Sequence, residues 1–435
     1  MGELASVAAG ACMTMEYTVA SSAVARSWGD KVVAFIAEYY SKDEDEALEF
    51  LRPGYALNPM AFLVSSASLV ILLKGVKESK QVTNFFTVLK ILLISFMSIV
   101  ALSLFKKENF SPMLPAQFGV AGILRGSTSS FFGYIGFDEI CCLGDEVINP
   151  KKNLPRAVMG TISMVTILYI IAAIGLAGMI PYADMSVTSG FPDGFRYRGY
   201  SIIGEITALG EIVTLPIVVL VTLMAQPRLQ YAMAKDGLLP NIFATVDETG
   251  NLWWGTLIAG VVSITISTCV PFTYLDDLIS AGVLMAFSMT AASVILLRHR
   301  SPTGHPFMLE KLLIKFNVLS LTMGLLVQFG YSDLTGKLLP AINFLVLLAL
   351  AIKIGSSCPE VLGSNDPDFF QTPFVPYLPL FAQFLNWYLV GQLGPLSILL
   401  LIGYVGSAIG LYSVFKKEKR SSPNNSDSYN QISIT

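Results

Sequence analysis

Two glycines and two adjacent acids interrupt an apolar stretch in the segment "FFGYIGFDEICC", residues 131–142. Gly133 and Gly136 allow a helix to unwind locally, and unwound backbone is tolerated inside a membrane only where it lines a cavity. Asp138 and Glu139 follow directly, where an apolar run would otherwise continue. The pattern therefore predicts a binding site at a break in a helix.

The two half-helices beside such a break present opposite charges. The first would end in free carbonyl groups near Phe132 to Tyr134, which suit an ammonium group. The second would begin with free amide donors and the positive end of the helix dipole, which suit a carboxylate. An amino acid carries both groups, so the break favours an amino-acid ligand. The alternative is that the glycines only permit close helix packing and that Asp138 caps a helix.

The composition places this break inside a membrane protein. Of the 435 residues, 53% are hydrophobic and 14% are charged, whereas soluble domains carry about 25% charged residues. Twelve apolar segments approach the roughly 20 residues with which a helix crosses a bilayer. They are residues 4–25, 60–76, 83–105, 119–144, 157–181, 206–227, 254–271, 276–297, 316–332, 338–355, 374–392 and 394–415. Because lipid cannot satisfy backbone amides, the predicted fold class is an all-α, polytopic membrane protein.

The residue types that commonly hold metals or cofactors form no recognisable site. The five cysteines and the two histidines, His299 and His305, lack metal-ligand spacing. The sequence has no phosphate-binding loop and no nucleophile with a base at helical spacing, which disfavours an ATP-driven pump and an intramembrane enzyme. We predict no cofactor, no metal and no nucleic-acid partner; the expected partners are an amino acid and the lipid bilayer.

The distribution of Lys and Arg predicts the orientation of the chain. With Met1 in the cytoplasm, the predicted inner segments carry more Lys and Arg than the outer ones, as the positive-inside rule requires. Both ends of the chain are therefore predicted to be cytoplasmic, and residues 26–59 to form an acidic outer loop. Residues 421–435 are polar and are predicted to be a disordered tail. The membrane could be the plasma membrane or a vacuolar or lysosomal one.

Four segments resemble one family of transporters. "FFGYIGFDEICCLGDEVINPKKNLPRAV" (131–158) resembles the sixth-helix signature of cationic amino-acid transporters, which belong to the amino acid, polyamine and organocation permease superfamily. "PRLQYAMAKDGLLP" (227–240) is similar to the family's inner loop after the eighth helix, and "LDDLISAGVLMAFSMTAASVILLRHR" (275–300) to its tenth helix. "FQTPFVPYLPLFAQFLNWYLVGQL" (370–393) resembles the family's carboxy-terminal module.

The resemblance implies a fold and its domain boundaries. The family has a five-plus-five inverted-repeat permease core and a four-helix extension. Residues 1–300 would form the core, 301–420 the extension, and 370–415 the carboxy-terminal module within it. "MGELASVAAGACMTMEYTVASSAVARSWGD" (1–30) resembles the family's third helix, so the fold is expected to be truncated at its amino terminus and to lack the first two helices. One of these carries the break that holds the substrate carboxylate in the family.

The resemblance also implies roles for individual residues at the break. Phe132 would close over the substrate, Tyr134 and Ile135 would line the pocket, and Asp138 would orient an amine or a cationic side chain. Glu3 matches an acidic residue of the family's third helix that faces the cationic end of the substrate. The alternative for Glu3 is an ordinary carboxylate at the membrane interface.

A second acidic pair, Asp145 and Glu146, lies some two helical turns beyond Asp138 and approaches the predicted cytoplasmic face. Together with Arg228, which is predicted on the same side, the pair would form an ion cluster at an inner gate. Simple solvation of charged residues at the membrane surface is an equal alternative.

Lys90 is a charged residue inside the third predicted span, roughly 10 Å from its start at ~1.5 Å per residue. An ionisable side chain at this depth is a functional candidate. The position also resembles the fifth-helix lysine of proton-coupled bacterial members of the superfamily, and it therefore predicts that transport is coupled to protons. The alternative is snorkelling, in which the aliphatic stem lifts the ammonium group to the membrane surface.

These features predict a secondary transporter of cationic amino acids, such as arginine, lysine and ornithine, that works by alternating access and uses protons. A second hypothesis follows from the two helices that the resemblance places outside the chain. The protein would then be a non-transporting amino-acid sensor or an inactive part of such a transporter.

The predicted orientation can be tested with glycosylation. A sequon introduced near Asp43, in the predicted outer loop, should be glycosylated in microsomes, because that loop would face the lumen. The natural Asn424-Asn425-Ser426 sequon in the predicted cytoplasmic tail should stay unmodified and serves as the control. A modified tail together with an unmodified loop would show that the orientation is inverted.

Overall fold

The structure of the chain is a computed structural model. It describes residues 3–40, 51, 57–75, 80–113, 115, 118–142, 144, 147–185, 190–248, 250–329, 334–361 and 370–421. Within these ranges the regular elements are helices, and β pairing is limited to an isolated bridge between His299 and Glu360. The predicted tail beyond Ser421 lies outside the described residues.

The described part of the chain contains fourteen α-helices. The first seven are α1 (Glu3–Tyr40), α2 (Pro59–Leu73), α3 (Lys80–Ser103), α4 (Gly119–Ser130), α5 (Glu139–Cys142), α6 (Pro150–Met179) and α7 (Gly190–Tyr197). The others are α8 (Ser201–Lys235), α9 (Trp253–Cys269), α10 (Phe272–Arg298), α11 (Met308–Phe329), α12 (Leu334–Ser357), α13 (Tyr377–Val390) and α14 (Pro395–Ser421). Short 3-10 helices cover Lys107–Phe110, Phe131–Tyr134, Tyr182–Asp184 and Asn241–Ala244.

The predicted fold class is confirmed: the chain is a polytopic helical membrane protein. Each predicted span coincides with one described helix, except residues 119–144, which contain α4, a break and the short α5. Among the described residues, six helices are long and apolar enough to cross a membrane by length and composition. These segments are Gln81–Ser103, Pro150–Met179, Ser201–Lys235, Phe272–Arg298, Leu338–Ser357 and Pro395–Val414.

Helix α1 is longer than the sequence predicted, and the expectation of a loop from residue 26 was wrong. The helix continues to Tyr40 because its two basic residues find acidic partners. Arg26 lies 3.5 Å from Asp30 one turn later, and Lys31 lies 2.5 Å from Glu211 on α8. With these charges paired, the helix can remain packed against its neighbours where a solvated loop was expected.

Helix α1 is the centre of the described bundle and packs against α2, α8, α9, α10 and α14. Small residues bring the helices close together: a Cβ on Gly10 would overlap Met233 of α8, and one on Gly282 of α10 would overlap Met15. The largest apolar core lies where α1, α10 and α14 meet. This packing buries the middle of α1, where the candidate site lies.

Helices α11, α12 and α13 form a second packed unit with the end of α10. Its core contains Ile295 of α10, Leu309 of α11, Ile354 of α12 and Leu380 of α13. Helices α11 and α13 approach each other closely at Gly324, since a Cβ there would lie 2.4 Å from the carbonyl oxygen of Tyr388. The predicted boundary at residue 300 falls just after α10 and stays a prediction.

This close approach predicts that Gly324→Ala destabilises the protein. The new methyl group would meet backbone atoms that cannot move independently, and overpacking of this kind costs about 1–3 kcal/mol. The free energy of unfolding, measured in detergent, should fall accordingly. Gly403→Ala on α14 is the matched control, because a Cβ there meets no atom within 4 Å; equal stability of the two variants would contradict the prediction.

Candidate functional site

The chain leaves the helical conformation between α4 and α5. Helix α4 ends at Ser130, a single 3-10 turn covers Phe131–Tyr134, and residues 135–138 form a turn before α5 begins at Glu139. Gly136 has a φ of 105°, a value that side-chain-bearing residues rarely adopt. The glycine at this position therefore permits the change of direction that exposes backbone and side-chain polar groups at the break.

Aromatic contacts hold the break against its neighbours. Phe132 packs edge-on against Phe272 of α10, with ring centroids 5.7 Å apart, and Tyr134 packs in the same way against Tyr169 of α6, also at 5.7 Å. Ile135 packs against the core shared by α1 and α10. Phe132, which was predicted to close over the substrate, and Tyr134 and Ile135, which were predicted to line the pocket, thus anchor the irregular backbone.

Three carboxylates are grouped between α1 and the break. The Tyr17 hydroxyl donates a hydrogen bond of 2.7 Å to Oδ2 of Asp138. Glu16, the residue before Tyr17, is completely buried and neither of its carboxylate oxygens has a hydrogen-bond partner. Oδ1 of Asp138 and Oε1 of Glu139 are also buried without a partner. The Glu16 carboxylate is close enough to Asp138 and Glu139 for their charges to interact.

Such a group of carboxylates is costly in its ionised form unless a cation joins it, and without a cation its members favour the protonated form. An ionised carboxylate without a partner is destabilising in a medium of low dielectric constant, and like charges add repulsion. Within the described ranges, no group of three or more His, Cys, Asp or Glu side chains has an arrangement that could hold a metal ion. A guanidinium or ammonium group carries several N–H donors and could satisfy more than one of these oxygens at once.

The structure separates Glu3 from the other predicted binding residues. Glu3 begins α1 and accepts hydrogen bonds from Tyr412 and Lys416 of α14. Glu3 and Tyr17 are fourteen positions apart on the same helix, which is about 21 Å at ~1.5 Å per residue. Glu3 therefore lies outside the carboxylate group, and its role in substrate binding stays a prediction.

The other charged candidates lie outside the carboxylate group. Lys90 is half-buried on α3, and the acidic group whose charge acts on it is Glu211 of α8. Arg228 is half-buried towards the end of α8. Asp145 and Glu146 lie outside the described residues. The inner gate and the role of Lys90 stay predictions.

Sequence reasoning missed Glu16 and Tyr17. Both lie in "ACMTMEYTVA", residues 11–20, in the middle of the first predicted span. A carboxylate at such a depth is a functional candidate for the same reason as Lys90, so the signal was present. The contact between Tyr17 and Asp138 joins residues 121 positions apart, and the sequence alone gave no sign of that pairing.

Comparison with known proteins identifies relatives among membrane transporters. The chain is 32% identical over 305 residues to a methylthioribose transporter of Bacillus subtilis, and 30% identical over 308 residues to a branched-chain amino acid permease of the same species. Each match covers 69% of this chain and 66% of the relative. A match to cationic amino acid transporter 4 of Mus musculus is 27% identical and covers 93% of this chain and 74% of the relative.

These matches extend over most of the chain but not over the whole of the relatives, since the chain spans about two thirds of the length of the two Bacillus proteins. The match to the family described as amino acid permease covers residues 1–352 and includes α1, the break, α8 and α10. The chain therefore belongs to the amino acid permease family.

Proposed function

We propose that this protein binds and transports cationic amino acids across a membrane by alternating access, together with protons. The family and its transporter relatives support amino-acid transport in general. The preference for a cationic substrate rests on one observation, the unpartnered oxygens of Glu16, Asp138 and Glu139 at the break. We infer a transporter rather than an enzyme, in a plasma, vacuolar or lysosomal membrane.

The carboxylates offer a physical basis for choosing between the substrates that the relatives are named for. A guanidinium or ammonium side chain would pair with oxygens that have no partner in the structure. A branched-chain side chain would exclude water from the same oxygens and leave them unpaired. Removing one partner from a buried ion pair costs about 3–5 kcal/mol, so the site should favour the cation by a factor of 10² or more.

Tyr17 gives the site its geometry. Its hydroxyl is the donor that fixes Oδ2 of Asp138 and leaves Oδ1 without a partner. Tyr17 itself is completely buried, so its ring cannot swing away without disturbing α1. The Asp138 carboxylate is thus held at a defined position, which is the requirement for recognising a planar guanidinium group.

Ligand-induced thermal stabilisation tests the substrate class. Arginine should raise the unfolding temperature of the purified chain, whereas citrulline should not, because it has the same length but no charge. A ligand at 100 times its dissociation constant stabilises by about 2.7 kcal/mol, which is a shift of several degrees. Glu16→Gln should remove the difference between arginine and citrulline.

The matched control for Glu16→Gln is Glu108→Gln, which neutralises an exposed carboxylate outside the helices that form the site. Its response to arginine should equal that of the unmodified protein. Equal stabilisation by arginine, citrulline and leucine would refute the cationic preference. Stabilisation by arginine without uptake into proteoliposomes would favour the sensor hypothesis over transport.

Proton coupling through Lys90 predicts that Lys90→Ala loses the acceleration of uptake by a proton gradient. In proteoliposomes, an inward proton gradient should accelerate arginine uptake by the unmodified protein, and Lys90→Ala should lose this acceleration while arginine exchange continues. Lys107→Ala, which removes an exposed lysine, is the control. An unchanged response to the gradient in Lys90→Ala would leave snorkelling as the better account of Lys90.

A further inference from the structure

A second charged cluster lies on α1 and α8, away from the break. Nζ of Lys31 lies 2.5 Å from Oε2 of Glu211, and the two side chains are only 22% and 20% exposed. One turn earlier on α1, the Trp28 indole donates a hydrogen bond of 2.9 Å to the carbonyl oxygen of Ile212. These two contacts join α1 to α8 within one helical turn of α1.

Helix α3 approaches the same point from another side. A Cβ on Gly210 would lie 2.7 Å from Leu93, so the two helices are in close contact beside Glu211. Lys90 precedes Leu93 by three residues and therefore lies on the same side of α3. The charge of Glu211 acts on Lys90 in this arrangement. Glu211 is thus within electrostatic reach of two lysines on two different helices.

One carboxylate cannot neutralise two ammonium groups. With all three side chains ionised, the cluster carries one net positive charge inside the bundle. The neighbouring charges do not change this count: Asp30 of α1 pairs with Arg26 and accepts from Asn58, and Glu205 of α8 is exposed nearly two turns away. In the structure Lys31 is the direct partner of Glu211, and the second ammonium group, on Lys90, would weaken that pair by competing for the same single negative charge.

We propose that Glu211 is a positioning residue shared by Lys31 and Lys90, and that it exchanges partners during transport. When Lys90 is neutral, Glu211 pairs with Lys31 and holds α1 against α8. When Lys90 takes up a proton from water on one side, its ammonium group competes for Glu211 and loosens α1. The proton leaves Lys90 to water on the other side, and Glu211 remains a carboxylate throughout. This inference rests on the proposed proton coupling at Lys90.

Thermal unfolding of the purified chain at one fixed pH tests the shared partner without any transport. In a Lys31→Met background, Glu211 should form an ion pair with Lys90. Adding Glu211→Gln to this background should therefore still lower the unfolding temperature, by about 2–4 °C. Adding Lys90→Met to the same background should abolish that effect of Glu211→Gln. Glu205→Gln is the control and should have no effect in either background. If Glu211→Gln has no effect once Lys31 is replaced, Glu211 serves Lys31 alone and the proposal is wrong.

Uptake measurements separate this inference from the proposed function. Glu211→Gln should weaken the acceleration of arginine uptake by a proton gradient and leave the stabilisation by arginine unchanged, and Glu211→Asp should restore part of the acceleration. A purely structural role of Glu211 would lower uptake with and without the gradient alike, and that result would overturn the inference. If no Lys90 variant loses the response to the gradient, the proton coupling is refuted. The unfolding experiment would still show whether Lys31 and Lys90 share Glu211.

Discussion

The hydrogen bond between Tyr17 and Asp138 joins the longest described helix to the break, and the candidate site depends on it. In a medium of low dielectric constant an ionised group without a partner is strongly destabilising. Asp138 has one such partner, the Tyr17 hydroxyl at 2.7 Å. Glu16, on the same turn of α1, has none for either oxygen. The same helix thus satisfies one carboxylate and adds a second whose oxygens have no hydrogen-bond partner.

Helix α1 also connects the two charged clusters. Glu16 and Lys31 are separated by fifteen residues of uninterrupted helix, which is about 22 Å at ~1.5 Å per residue. A movement of α1 that changes the pairing of Lys31 with Glu211 must also move Glu16 relative to the break. In the proposed function this is a mechanical link between a proton site on α3 and a substrate site beside α5. The link passes through Glu211 of α8, which pairs with Lys31 of α1 and whose charge acts on Lys90.

The sequence predicted the helices well because the membrane allows few alternatives: twelve apolar segments had to be helical, and eleven of them each match one described helix, the exception being the broken segment 119–144. It also located the interruption at Gly133 and Gly136 from local composition. The errors have a common cause. The early end assigned to α1 treated Arg26 and Lys31 as solvated, whereas their partners Asp30 and Glu211 allow the helix to continue. Glu211 is 180 residues from Lys31, so no local pattern could reveal that pairing.

The remaining polar contacts of α1 are of a weaker kind, and this difference bears on movement. Ser21 and Ser22 both approach the hydroxyl of Ser263 on α9, at 2.8 and 3.2 Å. Hydrogen bonds between hydroxyl groups in membrane proteins contribute only about 0.6 kcal/mol each, and lipid supplies no hydrophobic force between helices. These hydroxyl contacts between α1 and α9 can break and form again at little cost in free energy if α1 moves. Packing sets the general position of α1, and its charged contacts are the ones that a substrate cation or a proton can change.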